Sequence, residues 1–242
     1  MNQEIITKAI VIKSVPYKDN DKILTLLTAE YGKISANLKG ANKPKSKLKF
    51  AGQNFCFAEF NLMQYGQNHS VKTATEIESF FDIAKNFQNL SIGSSMLEID
   101  DKITKEGELC YPIFLNTLKA LQTLVFSSVN SKIVLIKFML ETFKFCGYQL
   151  VFDKCKNCGA KFNNNIFMNI ETGAFVCSLC KTQECMQISL GAFNVMKYIS
   201  STDYTSLKSI SAHEHHLDEI LVLLNANFTG KFGLIIKSLK NL

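Results

Sequence analysis

Cys155-Lys156-Asn157-Cys158, an 18-residue gap, and Cys177-Ser178-Leu179-Cys180 decide how the second half of this chain folds. Two residues between cysteines let a tight turn aim both sulfurs at one point, and two such turns build a tetrahedral cage of thiolates. Lys154, Lys156, Asn157 and Gly159 around the first pair suit a backbone that must curl round a metal. Between the pairs, Ile166-Phe167-Met168-Asn169-Ile170, Glu171-Thr172-Gly173 and Ala174-Phe175-Val176 read as a hairpin. The pattern predicts a zinc ribbon from about residue 153 to 185, with Cys155, Cys158, Cys177 and Cys180 as ligands. Such a site is closed, because no coordination position stays open for substrate, so the metal is structural. An iron–sulfur cluster uses the same ligands, and the spacing alone does not separate it from Zn2+. Cys185 is a spare thiol or an alternative ligand.

The ribbon interrupts a helical region. Residues 82–147 lack regular Gly and Pro punctuation, and Ile133, Ile136, Met139, Leu140 and Phe143 recur at steps of three and four up to a stop at Gly147. Leu118, Leu121, Leu124 and Val125 mark another helix, and the pattern returns at Ser189–Ile199 and His216–Phe228.

The first 80 residues have a different texture. Five short apolar runs (Glu4–Lys13, Lys22–Thr28, Gly32 to about Lys39, Phe55–Tyr65 and Ser70–Phe80) are separated by turn signals at Pro16, Asn20-Asp21, Gly32, Gly40, Pro44, Gly52 and Gly66. Five strands without intervening helices predict a small barrel, with the OB-fold as the natural candidate. The fold class is thus α+β: a five-stranded OB-fold barrel over 1–80, then a helical domain over 81–242 carrying the four-Cys ribbon.

The third and fourth strands are joined by Lys39-Gly40-Ala41-Asn42-Lys43-Pro44-Lys45-Ser46-Lys47-Leu48-Lys49, which holds five lysines and no acid. In OB-folds single-stranded nucleic acid crosses the sheet, gripped by inter-strand loops. Lysines there neutralise phosphates and release counterions. The plainer reading is a solvated loop. Lys33, Lys39, Lys43, Lys45, Lys47 and Lys49 are the candidate DNA contacts. Bases need aromatic platforms. Phe55, Phe57 and Phe60 suit a core, whereas Tyr17 and Tyr65, with Tyr31, are better surface candidates because a hydroxyl tolerates water.

Composition sets the bounds. The chain has 242 residues, 47% apolar, and a net charge of +6. Residues 1–80 hold 11 lysines against 7 acids, and residues 81–242 hold 16 against 14. Every basic residue is Lys. Arg makes the bidentate contacts that most often encode base identity, so backbone contacts are favoured over base reading; AT-rich coding also accounts for the bias. No apolar run approaches the roughly 18 residues of a membrane span. Met1-Asn2-Gln3-Glu4 does not begin a signal peptide, and eight cysteines without one point to a reducing cytoplasm. His213, His215 and His216 flank Glu214; a polar helix start is favoured over a metal site, since consecutive helical residues point apart. Cys56, Cys110 and Cys146 read as small core residues. No phosphate cradle, dinucleotide motif, HExxH or GxSxG occurs, so no enzyme is expected.

The chain resembles the RecO family of bacterial recombination-repair mediators along essentially its whole length. The matching fragments are Ala9-Ile10-Val11-Ile12, Tyr17-Lys18-Asp19-Asn20-Asp21-Lys22-Ile23-Leu24, Leu27-Thr28, Tyr31-Gly32-Lys33, Lys39-Gly40-Ala41, Lys45-Ser46-Lys47-Leu48, Phe145-Cys146-Gly147-Tyr148, the four cysteines, and Lys237-Ser238-Leu239. The family often has Glu-Thr or Glu-Ser-Asp where this chain has Asp19-Asn20-Asp21, and usually has Arg in the basic loop. The resemblance implies a nucleoid-associated protein that anneals single strands and helps load RecA onto SSB-coated DNA with RecR. It implies that the barrel binds DNA, single-stranded with double-stranded DNA left open, and that the helical domain takes an SSB tail. Two other classes fit the residues alone: an RNA-binding barrel-and-ribbon factor, and a scaffold that binds only proteins.

Overall fold

A computed structural model describes residues 3–241. The chain forms two compact units, Met1–Val125 and Phe126–Leu242.

The first unit is built on a closed five-stranded barrel of order β1-β2-β3-β5-β4, the topology of an OB-fold. The strands are β1 (Gln3–Tyr17), β2 (Asp21–Thr28), β3 (Lys33–Leu38), β4 (Cys56–Tyr65) and β5 (Asn68–Ser79). Alternation in sequence becomes alternation in burial: Leu24 and Leu26 on β2, Ile34, Ala36 and Leu38 on β3, and Ala58, Phe60 and Leu62 on β4 point into the barrel. β1 runs antiparallel to both β2 and β4, and Ala9 is opposite Thr28 on one side and Ala58 on the other. A bulge between Val11 and Lys13 bends the strand so that it serves both ladders. Pro16, read in the sequence as a turn signal, lies inside β1 opposite Lys22. A ladder end tolerates a residue without an N–H, so the strand continues to Tyr17.

Two helices complete this unit, α1 (Phe87–Ile103) and α2 (Tyr111–Phe126). The family of strands ends near residue 80, but compactness divides the chain after Val125, leaving α1 and nearly all of α2 with the barrel. α1 starts where the Asn86 side chain accepts the Asn89 N–H. Phe57 of β4 meets Phe114 of α2 with ring centroids 6.0 Å apart. Gly32 occupies the left-handed region at φ +69°, and a Cβ there would lie 1.9 Å from the Glu108 carbonyl oxygen. Only glycine lets the β2–β3 turn approach the α1–α2 connection this closely.

In the second unit α3 (Ser131–Phe145), α4 (Leu190–Ser201) and α5 (Glu214–Phe232) pack on one another, and a three-stranded sheet of β6 (Ile166–Asn169), β7 (Phe175–Cys177) and β8 (Cys185–Ile188) meets α5 through β8. The hairpin is where the sequence puts it. The ribbon nevertheless extends past residue 185, because Cys185 to Ile188 pair with β6 as a third strand. α3 is buried over Ile133–Leu140, including Lys137, whose ammonium donates to Glu141 Oε1 at 2.7 Å and to the Ser200 carbonyl at 3.1 Å. No helix among the described residues is long and apolar enough to cross a membrane.

A carboxyl group is buried between α1 and α2. Asp100 has no solvent exposure, and its Oδ1 has no hydrogen-bond partner. Thr117 Oγ1 lies 2.6 Å from Asp100 Oδ2 and 2.9 Å from the Ile113 carbonyl. A hydroxyl carries one proton. If it is donated to Ile113, the short contact requires a proton on Asp100. Burial first, and then the charge of Asp101, hold Asp100 well above the usual carboxylate range, against an opposing contribution from Thr117. A raised folded-state pKa means that the group's stabilising contribution is complete below the unfolded value near 3.9 and is lost as pH rises towards the folded value. Within that window the loss is about 1.4 kcal/mol per pH unit. Asp100→Asn removes the titration, so chemical denaturation from about pH 4 to about pH 8 should show a flatter stability profile than the parent. Parallel profiles would show that Asp100 is ionised in the fold.

Candidate metal centre and nucleic-acid interface

The metal site grows out of the ribbon's backbone. Gly159 N–H donates to the Cys155 carbonyl at 2.9 Å, and Cys180 N–H donates to the Cys177 carbonyl at 3.0 Å, so each CxxC pair closes a tight turn. The left-handed φ of +74° at Gly159 completes the first knuckle. The turns bring the sulfurs of Cys155, Cys158, Cys177 and Cys180 to within 4.8 Å of one another. Cys158 and Cys177 Sγ are 3.7 Å apart, which is the separation of about 3.75 Å that four sulfurs about 2.3 Å from one tetrahedral ion would have. The four thiols are thus placed to hold a metal ion.

Their electrostatics suit a cation. Burial pushes the Cys155 thiol up, but backbone donors at Cys158, Cys177 and Asn157 outweigh it and bring it down to about 6. Cys180 is pushed up to about 12, first by its hydrogen bond with Cys158, then by burial and by its neighbours Cys177 and Cys155. A divalent ion at the centre would favour thiolate at all four positions. Cys185 is outside this group: it sits on β8 opposite Asn169, with its sulfur accepting the Thr182 N–H at 3.4 Å.

The ribbon is bonded into the second unit. Phe175 lies 5.2 Å from Phe152 and 5.0 Å from Phe193, centroid to centroid, and Phe162 lies 5.3 Å from Phe193. Asn227 Nδ2 of α5 donates to the Ile170 carbonyl at 2.7 Å. A Cβ on Gly230 would come 2.6 Å from that same carbonyl oxygen, so α5 needs glycine there for the hairpin to lie against it.

The lysine-rich connection between β3 and β4 is a series of turns ending in a short 3-10 segment, Phe50–Gly52. It is anchored at both ends. Gly40 N–H donates to Asp21 Oδ1 at 2.7 Å and Asn42 N–H to the Asn20 carbonyl at 3.0 Å. At the far end, the Gly52 carbonyl accepts Ser14 Oγ at 2.8 Å and Lys22 Nζ at 2.7 Å. Ala41 and Ala51 are buried in the barrel core, with Leu48 and Phe50 against it. Lys39, Lys43, Lys45, Lys47 and Lys49 are all exposed. Lys33 differs from them. Its ammonium donates to the Asp101 carbonyl at 2.6 Å and lies 3.4 Å from the Asp101 carboxylate, with 13% of the side chain exposed. It ties the barrel to α1.

Phe55, Phe57 and Phe60 are buried, and Tyr17, Tyr31 and Tyr65 are exposed. The histidines depart from expectation. His215 and His216 do not point apart; their ring centroids are 4.0 Å apart, and His213 stacks 5.6 Å from His215. His213 is the non-helical residue before α5, and its ring reaches back to His215. They do not join the group of residues placed to hold a metal. Cys56 and Cys110 are buried, as expected of small core residues, and burial pushes their thiols up to about 12 and about 11. Cys146 is only half-buried.

The architecture can be set against known families. The family model described as "Recombination protein O N terminal" matches residues 1–80, and "Recombination protein O C terminal" matches residues 84–240. The chain belongs to the recombination protein O family. Curated relatives named "DNA repair protein RecO" align over most of its length. One from Clostridium novyi is 28% identical over 97% of this chain and 91% of its own length. One from Acetivibrio thermocellus is 31% identical over 88% and 86%, and one from Caldicellulosiruptor saccharolyticus is 30% identical over 91% and 90%. The family is one of DNA repair proteins.

Metal analysis of protein purified without chelator should return about one ion per chain. Cys177→Ser should lower both the metal content and the unfolding midpoint, and acidification from about pH 7 to about pH 4 should release the ion because protons compete for the thiolates. Full stability in metal-free protein would overturn a structural role for the site.

Proposed function

We propose that this protein is a non-catalytic recombination mediator that binds single-stranded DNA on its barrel, through the sugar–phosphate backbone, and anneals complementary strands. The observation that carries this reading is the connection between β3 and β4. It holds five exposed lysines, Lys39, Lys43, Lys45, Lys47 and Lys49, on a loop pinned to the barrel by Asp21 and Asn20. A pinned loop presents its charges at one place, so phosphates are neutralised together and counterions are released. Two strands held there repel each other less, which speeds pairing without nucleotide hydrolysis. Lys33 is not part of this surface, because Asp101 already occupies its ammonium.

Residues 1–80 act as the nucleic-acid module in this reading, and residues 81–242 supply structure and docking. The ribbon's ion is Zn2+, which the closed four-sulfur geometry favours, and its role is to hold the hairpin against α4 and α5. The relatives' name brings DNA repair, and the family resemblance brings RecR, SSB and RecA as partners in loading RecA onto coated strands in the cytoplasm. The resemblance puts the docking of the SSB tail on the helical domain.

The test is strand annealing by purified protein without nucleotide. The parent should accelerate pairing, with inhibition by salt. Changing Lys43, Lys45, Lys47 and Lys49 together to Ala should abolish the acceleration and lower the slope of log affinity against log salt by up to about 3, at about 0.7 per phosphate contact on single strands. An unchanged slope would reduce the loop to a solvated surface. Stronger binding to RNA than to DNA of the same sequence would move the protein to RNA processing.

A further inference from the structure

The lysine loop is anchored to the β1–β2 turn. Three tyrosines on the barrel are exposed to similar extents: Tyr17 at 42%, Tyr31 at 42% and Tyr65 at 48%. They lie at three different turns, and the turns differ in charge. Tyr31 is in the β2–β3 turn beside Glu30, and both line an open groove of about 610 Å³ with Glu106, Gln64 and Gln67. Two carboxylates make that groove a poor neighbour for phosphate. Tyr65 leads into the β4–β5 turn, Gly66-Gln67, which carries no charge. Tyr17 leads into the β1–β2 turn, to which the lysine loop is bonded through the Asn20 carbonyl and the Asp21 carboxylate.

We propose that Tyr17 is the platform on which an unpaired base stacks while Lys18 and the adjoining lysine loop hold the flanking phosphates, so that this turn favours single strands over duplex. The inference rests on the reading of the barrel as a single-strand binder and adds the residue that distinguishes unpaired bases.

Two features support it beyond proximity. The Lys18 ammonium lies over the Tyr17 ring, 5.2 Å from its centre, so one face carries the cation and a base would stack on the other. Lys18 also has a left-handed backbone, φ 52°, a conformation that Gly, Asn or Asp adopts more cheaply. The turn thus holds a cation against the ring in an uncommon backbone conformation. Of the acids nearby, Asp21 is bonded to Gly40 N–H, and Asp19 is exposed on the same turn. Asp19 opposes phosphate, and five loop lysines outnumber it. A phenol face stacks on any base, which agrees with a surface that contains no arginine to read base edges. Duplex DNA keeps its bases paired and inside, so the ring offers it nothing.

The test uses the whole chain, three variants at Tyr17 and the lysine variant described above. Stacking of one base contributes on the order of 1–3 kcal/mol, so Tyr17→Ala should weaken binding to oligothymidylate by roughly 5- to 150-fold, leave binding to a matched duplex unchanged, and leave the salt slope unchanged. Tyr17→Phe keeps the ring and should bind like the parent. The chain contains no tryptophan, so Tyr17→Trp installs a single reporter at the site. Its emission should be quenched by oligothymidylate and not by duplex. Equal losses on single strand and duplex, unchanged affinity in Tyr17→Ala, or an unquenched tryptophan with bound oligothymidylate would each overturn the proposal. If the parent itself shows no salt-dependent binding to oligothymidylate, the barrel reading fails and this inference fails with it. If the parent binds and the lysine variant loses slope while the tyrosine variants change nothing, only the inference fails.

Discussion

Strand β1 is shared between two ladders, and the first unit depends on that sharing. Its early part pairs with β4, its later part with β2, and near Ala9 it pairs with both. A straight strand cannot follow two neighbours that diverge around a small barrel. The bulge at Ile12 supplies the bend. Once β1 bends, its last residues are carried past the barrel body and end at Tyr17, opposite Asp21. That endpoint places the β1–β2 turn where Asn20 and Asp21 can hold the start of the lysine loop. The position of the basic surface therefore follows from backbone closure as much as from lysine itself.

The loop is also held from inside. Ala41 and Ala51 are buried, and Leu48 and Phe50 pack against the barrel core between the charged residues. Apolar positions face inward while lysines face water, so a segment with no regular secondary structure still has a defined course. Polar bonds at its two ends and apolar contacts along its length act together. Each alone is a small contribution of about 1 kcal/mol for a hydrogen bond or about 25 cal/mol per Å² of apolar area.

In the second unit the four-thiol group and the phenylalanine cluster belong to one ribbon. The knuckles fix the ends of β6 and β7, and the hairpin between them presents Phe175 to Phe152, Phe162 and Phe193. Gly230 lets α5 come close enough for Asn227 to bond the Ile170 carbonyl. A ribbon that reads as an insertion in the sequence is thus part of the hydrophobic core of its unit.

Much of this was legible in the residues. The two CxxC pairs have few other physical uses at that spacing, period-two alternation marks the barrel strands, and Gly147 and Ser189 bound helices for local reasons. What escaped depends on contacts between distant residues. Cys185 to Ile188 is too short to announce a third ribbon strand without β6 beside it. Lys33 looks like its lysine neighbours until Asp101, 68 residues away, takes its ammonium. Asp100 and Asp101 are adjacent acids with no local difference, yet helix geometry buries one against Thr117 and leaves the other to pair with Lys13 and Lys33. Tyr17 and Tyr31 have Lys18 and Glu30 beside them in the chain, and the fold adds the lysine loop at one turn and Glu106 at the other. The sequence by itself determined which chemistry is present: four thiols, five loop lysines and an alternating barrel, because spacing and pattern act over a few residues. The tertiary structure alone decided which charges and rings are free to meet a partner, because that depends on residues brought together from far apart in the chain.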